Sequence, residues 1–505
     1  MNNTRSNTAL LIALLLSFMF FMQAWFGSRN MSLTWDEPSY IASGYTYLTT
    51  YNYEFNPSHP PLIRSLEALP LLFMDIKAAQ PNQAELTARN PQAEFGYRFI
   101  YGSGSDPRKI SSWCRLPAMI IGAALVLAVF FRGRELYGDG PALLGAALAA
   151  FCPNLLAQSK VAIEDIGCAF FVFISVWLYS KSLDKPTAKS ICLCGVVTGL
   201  ALLSKYTSLL LAPVYVILAF VKYHEGDKSQ TLKGLFQQNA IIAAIAMSVV
   251  SLAYGFNPLN YFKGLSSIYT DLNYSPTWYF FGEASEKTRW YYYLVALAIK
   301  TPVPTLLFIG LAAAVSIKHR QDRRQMLVAL VPAAVIIGVS CFDKGNFGLR
   351  RILPALPFLY LFAARALTVD SKISRILSPL LVLWLIAEAV YIYPHHTSYF
   401  NNAAGGPKRG PYLLVADDCD IGQDLPALAT WQKNHPEAGI IRLVYNGTAD
   451  PAAYGVDATR VSFEEIDNPL PGTYAISVTP LVGTPWLRYA APVARAGYSI
   501  YIYQF

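Results

Sequence analysis

The chain reads as a polytopic α-helical membrane protein with a small C-terminal α/β domain outside the bilayer. Three observations predict this. The sequence is 54% hydrophobic and only 14% charged, whereas a soluble domain carries about a quarter charged residues. Its apolar residues fall in blocks close to the ~20 residues that a helix needs to cross a bilayer. After Tyr393 the blocks stop, and short β-branched and aromatic runs replace them.

Taken in order, the blocks at 8–26, 112–131, 140–158, 161–180, 188–203, 206–222, 237–256, 291–317, 325–341, 352–368 and 375–393 predict about eleven transmembrane helices. The first lacks a small-residue cleavage site and reads as a retained anchor. The fifth and sixth are short and separated only by Ser204-Lys205-Tyr206. Joined into one helix, they would reverse the side of everything downstream. Charge sets the orientation. Lys and Arg outnumber Asp and Glu in the loops Lys181–Lys189, Lys222–Lys233, Lys318–Arg324 and Arg365–Arg375, and Arg132–Asp139 is balanced. Lys318, Arg320, Arg323 and Arg324 form the densest cluster. The positive-inside rule then places these loops and the N-terminus in the cytoplasm. It places Asp36, the 257–290 loop and the tail outside. The net charge of +8 is assigned to topology, and nucleic acid is excluded as a partner.

Residues 1–393 thus form a transmembrane unit and 394–505 an extracytoplasmic one. The first outer loop, 27–111, is too long for a connector. Tyr40–Tyr51 and Pro61–Met74 read as short amphipathic helices at the membrane surface. Between them, Asn56-Pro57-Ser58-His59-Pro60-Pro61-Leu62 is a proline-fixed turn that holds His59 in place. Residues 78–110 read as a polar surface lobe. The second outer loop, 257–290, is dense in Tyr, Phe and Asn and suits a mobile cover over a substrate. In the tail, Tyr412–Ala416, Ile440–Tyr445, Thr473–Val478 and Tyr498–Gln504 read as strands, and Gln423–Asn434 as a helix. The seven cysteines and six histidines show no metal-ligand spacing. Cys341 and Cys419 are the two cysteines near or beyond the outer face, and so the pair between which a disulfide is conceivable.

Two acidic pairs stand at the outer ends of spans, where a carboxylate is costly unless it faces water or a partner. In Trp35-Asp36-Glu37-Pro38, a carboxylate fits a general base that takes a proton from an attacking hydroxyl. It fits equally a helix cap before proline. Glu164-Asp165 fits positioning of an acceptor or a divalent cation, or stabilisation of a helix N-terminus. The cations expected near the same face are His59, Lys160, Lys205, Lys300, Arg350 and Arg351. They suit an anionic group or snorkelling to lipid headgroups. The acidic run Asp417-Asp418-Cys419-Asp420 reads as a strand-to-helix turn or a substrate contact.

In order and spacing these segments resemble the GT-C superfamily, and within it the family 39-like glycosyltransferases that include protein O-mannosyltransferases and the lipid A aminoarabinose transferase. The resemblance runs through Asp36-Glu37, His59-Pro60-Pro61-Leu62, Glu164-Asp165 and Leu203-Ser204-Lys205-Tyr206-Thr207. It continues through Tyr291-Tyr292-Tyr293, Lys300-Thr301-Pro302, Gly348-Leu349-Arg350-Arg351 and a tail ending in Gly422-Gln423-Asp424-Leu425. The aminoarabinose transferases have a lysine where this chain has His59, and related tails have a tryptophan where it has Ile421.

The resemblance implies inverting transfer of a hexose or pentose from a polyprenyl or dolichyl monophosphate to an acceptor protein, glycolipid or polysaccharide. It implies a site outside the cytoplasm, with a bacterial inner membrane as the setting. Asp36 and Glu37 would be catalytic, and Glu164 and Asp165 would position acceptor or metal. His59, Lys205, Lys300, Arg350 and Arg351 would bind the donor phosphate. No cofactor is required, and a divalent cation is optional. A transporter or flippase of a lipid-linked sugar is the competing reading. It fits less well, because no internal repeat is visible and the charges gather at one face instead of mid-membrane. A non-catalytic assembly protein is the third.

Overall fold

The computed structural model describes every residue except 1, 54, 77–80, 83–84, 86–89, 225–230, 272–277, 286, 319–322, 370–371 and 489. Arg320 of the basic cluster, and parts of the 78–110 lobe and the 257–290 loop, lie outside the described residues.

Among the described residues, six helices are long and apolar enough to cross a membrane: Asn7–Ser28, Pro107–Tyr137, Asp165–Asp184, Tyr206–His224, Leu232–Ala253 and Arg375–Ile392. Two bent pairs raise the number to eight. The chain is therefore a multi-pass integral membrane protein. The other three expected spans are helical but shorter: Ala188–Ser204, Arg324–Ser340 and Leu356–Ala364, which follows the 3-10 turns Leu349–Ala355.

The bends have a covalent cause. Asp139–Ala150 turns by 57° into Pro153–Ser159, and Tyr292–Lys300 turns by 111° into Val303–Lys318. Cys152 and Thr301, the residues before Pro153 and Pro302, sit at ψ 115° and 134°. A following proline ring excludes the helical region at such positions. The fifth and sixth blocks are separate: Lys205 is extended at φ −160°, ψ 144°, and ends Ala188–Ser204. That helix packs closely on Leu232–Ala253. A Cβ on Gly195 or Gly199 would come within 2.7 Å of Ile245 or Val249 side-chain carbon, so the G-x-x-x-G spacing lets the two backbones meet.

In the segment expected to be the first outer loop, Glu37–Thr50 and Leu62–Ala68 are helical as expected. The expected polar lobe instead contains the helix Pro91–Tyr101, capped by Asn90, with Phe95, Phe99 and Ile100 buried. These aromatics pack against Phe55 and Tyr45, so the segment is part of a core. In the second loop, Leu259–Asp271 is helical, and β1 (Trp278–Phe280) and β2 (Glu283–Ser285) form a short hairpin.

The tail holds a five-stranded sheet of β3 (Ile441–Val444), β4 (Ala458–Arg460), β5 (Thr473–Ser477), β6 (Ala494–Ala496) and β7 (Ile500–Gln504), in the order β4-β3-β5-β7-β6. β3 runs parallel to β4 and β5, and β7 runs antiparallel to β5 and β6. The central β5 is buried along its whole length. The expected strand at Tyr412–Ala416 is not formed. Gly410–Tyr412 is a 3-10 turn, and only Leu414 bridges, to Phe280. Cys341 and Cys419 are both free thiols.

The tail is laced to the start of the first loop. Ser32 and Trp35 amides donate to Gln423 and Ile421 carbonyls, each at 3.0 Å. The Leu33 amide donates to the Tyr454 hydroxyl at 2.9 Å. Thr448 Oγ1 donates to the Trp35 carbonyl at 2.9 Å. This seam fixes the backbone just before Asp36.

Candidate active site

The structure brings all nine predicted site residues to one end of the bundle, but in different states. Asp36 is the N-cap residue of Glu37–Thr50, and its side chain makes no capping bond. It is half-buried, and Arg350 Nη1 donates to its Oδ2 at 3.1 Å. Its carboxylate therefore faces the site instead of the helix.

Glu37 points the other way. It is fully buried, and Arg115 grips it with two bonds of 2.7 Å, while the Thr34 and Ala162 amides each donate at 2.8 Å. Burial alone would raise its pKa; the Arg115 charge and these bonds outweigh it and hold the carboxyl below its ordinary value. No oxygen is left for a substrate. The expected catalytic role does not fit this geometry, in which Glu37 ties the start of its helix to Arg115, Thr34 and Ala162.

Glu164 and Asp165 are also buried and paired. Glu164 Oε1 meets Arg64 at 3.1 Å and His59 Nδ1 at 3.5 Å. Asp165 accepts from Lys205 Nζ at 2.5 Å. Among the described residues no three His, Cys, Asp or Glu side chains gather to hold a metal. Arg64 and Lys205 already neutralise these carboxylates, and in this arrangement the pair does not fit a divalent cation.

The cations divide likewise. Lys205, Arg351 and His59 line a cavity of about 410 Å³ whose remaining wall includes Leu209, Leu210, Leu265, Ile268, Val339 and Phe342. Arg351 is held by Asp343, with Nη2 at 2.5 Å. His59 stacks against Tyr40 with ring centroids 5.6 Å apart. Burial, Arg64 and Lys205 hold its imidazole well below the ordinary pKa, so His59 is neutral at pH 7 and contributes no charge to a phosphate. Lys300 is sealed: it is 2% exposed, donates to the Thr397 carbonyl at 2.9 Å and to the Asp418 carbonyl, and lies 4.5 Å from the Phe400 ring centre. It fixes the tail to the bend at Thr301 and is closed to a donor.

Three site residues escaped the sequence reading, and a fourth, Asp417, was read only as part of a turn or a substrate contact. Arg64 and Arg115 partner the acidic pairs, and Asp343 holds Arg351. Asp417 pairs with Arg350 Nη2 at 3.2 Å, so Arg350 bridges Asp36 and the tail. Burial pushes Asp417 up to about 6, against the pull of Arg350. Gly348 permits the approach. At φ +69° it lacks a Cβ that would stand 2.8 Å from Asp417 Cβ, and the next amide, of Leu349, donates to Asp418 at 2.9 Å. The glycine before Leu349-Arg350 was the available signal.

A family model described as dolichyl-phosphate-mannose-protein mannosyltransferase matches residues 111–254, a stretch that includes Glu164, Asp165 and Lys205 but not Asp36. No curated protein matches the chain. ArnT from Cupriavidus metallidurans bound to undecaprenyl phosphate aligns over 99% of this chain and 98% of its own, at 13% identity and a TM-score of 0.52. Its apo form aligns over the same shares at 12% identity and 0.52. The apo Archaeoglobus fulgidus oligosaccharyltransferase aligns over 85% of this chain and 58% of its own, at 14% identity and 0.49. The chain thus has, from end to end, the GT-C fold of the glycosyltransferases that its motifs resemble.

Proposed function

We propose that the chain is an inverting glycosyltransferase. It moves a hexose or pentose from a polyprenyl or dolichyl monophosphate to a hydroxyl of a protein, glycolipid or polysaccharide. The reaction takes place on the extracytoplasmic face of a bacterial plasma membrane. The observation that carries this reading is the mixed lining of one cavity, which has a charged part that includes Lys205 and Arg351 and an apolar part that includes Leu209, Leu265, Ile268 and Phe342. An isoprenoid phosphate has the same two halves. Undecaprenyl phosphate, bound by ArnT in the same fold, is a ligand of that kind.

In this scheme the acceptor oxygen bonds to the anomeric carbon while the bond from that carbon to the phosphate oxygen breaks on the opposite side. The acceptor proton passes to Asp36. The lipid phosphate leaves as a monoester and gains a second negative charge, which Lys205 and Arg351 face from fixed positions. Arg350 holds Asp36 before the donor enters. A phosphate that draws Arg350 away frees the base.

The test is turnover of a radiolabelled polyprenyl-phosphate sugar by the purified protein in lipid nanodiscs. Asp36→Asn is expected to lower it by about 10²–10⁴-fold. Undiminished turnover removes Asp36 as the base, and no transfer by the wild type from any lipid-phosphate hexose or pentose removes the reading.

A further inference from the structure

A second charged cavity lies at the other end of the same helices. Asp165 opens one helix at the candidate site and Asp184 closes it, a separation of about 28 Å at ~1.5 Å per residue. Around Asp184 is a cavity of about 680 Å³ lined by Arg132, Lys181, Lys185 and Arg324, with Glu135 and Asp184 as the carboxylates. Two positive charges are in excess. Leu136 and Val328 give it an apolar side, and Ser180, Thr187 and Ser190 supply hydroxyls.

Two features set it apart from a solvated basic loop. Arg132 is 7% exposed. Its Nη1 donates to Glu135 at 3.1 Å and its Nη2 to Ser180 at 2.7 Å, but its Nε has no hydrogen-bond partner among the described residues. A buried guanidinium N–H left open costs free energy until an acceptor arrives. Lys185, at the rim, has no carboxylate partner among the described residues. The other cations are already held in place: Lys181 by Glu135 at 2.6 Å and Arg324 by Asp184. The cavity presents fixed donors beside apolar surface at the end of a span, where lipid headgroups lie.

We infer that this cavity binds a phosphate-bearing anion, and that the phosphate of an anionic phospholipid headgroup is its occupant. The inference is independent of the transfer reaction at the opposite end. The test is native mass spectrometry of the full chain in detergent, titrated with dioctanoyl phosphatidylglycerol, dioctanoyl phosphatidylcholine and inorganic phosphate. The double variant Lys181→Gln/Lys185→Gln changes exposed residues and leaves Arg132 in place, so it is expected to fold.

Phosphatidylglycerol should bind the wild type at least about tenfold more tightly than phosphatidylcholine, and the double variant should lose that preference. If inorganic phosphate displaces the lipid at equal concentration, the site takes the phosphate itself. If it does not, the site takes the whole headgroup. Equal binding of the two lipids by the wild type, or an unchanged preference in the double variant, overturns the inference.

Discussion

Adjacent carboxylates with opposite tasks give the sharpest prediction. In Glu37→Gln, one carboxylate oxygen becomes an NH₂ group, yet all four groups around it are donors: two Arg115 nitrogens and the Thr34 and Ala162 amides. The substitution therefore removes the counter-charge of a fully buried Arg115 and sets donor against donor. Breaking a buried pair in this way costs about 3–5 kcal/mol. Asp36→Asn removes a single contact of 3.1 Å to a half-buried Arg350, an interaction of about 0–1 kcal/mol, but it also removes the proposed base. Thermal unfolding in detergent, read by intrinsic fluorescence, should show a drop of several degrees for Glu37→Gln and almost none for Asp36→Asn. Turnover should show the reverse ranking once Glu37→Gln is assayed well below its midpoint. A Glu37→Gln protein with wild-type melting but no turnover would refute the division of labour.

Three further outcomes follow from the same geometry. His59→Gln should keep most activity at pH 7, because the imidazole it replaces is neutral there. The depressed pKa also means that the unfolded chain takes a proton below about 6.5 while the folded one does not. Stability should fall as pH drops through that range, and the variant should flatten the fall. A fivefold or greater activity loss for His59→Gln at pH 7 would contradict the neutral assignment. Glu67 is buried, with both oxygens unpartnered among the described residues, and burial raises its pKa well above the ordinary value. Stability should decline as pH rises from about 4.5 toward the raised pKa, by up to ~1.4 kcal/mol per unit. Glu67→Gln should remove that slope, and parallel melting curves for wild type and variant would count against it. Lys205→Ala and Arg351→Gln should each weaken the donor by about 10–100-fold, the worth of a charge-assisted bond at ~1.5–3 kcal/mol. An unchanged donor KM in both would displace the phosphate from this cavity.

The extent of the bundle was legible because span length is set by bilayer thickness, which block length reports directly. The bends were written in Cys152-Pro153 and Thr301-Pro302, yet apolar block length alone ran straight through both. The break at Lys205 was legible only as an ambiguity, since nothing local says whether a lysine in an apolar run will seek Asp165. The pairing of the site was hidden for a related reason. Glu37 and Arg115 are 78 positions apart, and Arg350 and Asp36 are 314. Periodicity reports which face of an element is apolar, not which distant charge will be packed against it. Hence the sequence located the charges but could not separate the open ones (Asp36, Lys205, Arg351) from the sealed ones (Glu37, Lys300).

Asp417 ties the tail to the proposed chemistry. Arg350 reaches Asp36 with one nitrogen and Asp417 with the other, so the charge state of Asp417 decides how firmly Arg350 rests on the base. Above its pKa of about 6, Asp417 is anionic and shares Arg350. Below it, Asp417 takes a proton and Arg350 is left to Asp36 alone, which holds the proposed base more tightly and leaves it less free to meet the acceptor. The kcat/KM of the wild type should therefore rise with pH through about 6. Asp417→Asn, neutral at every pH, should sit low and lack that inflection. Arg350→Lys, which offers one nitrogen in place of a fork, should be low at both ends of the range with melting close to wild type. If Asp417→Asn keeps the inflection near pH 6, the titrating group is elsewhere, and the tail turn is only a support for Arg350.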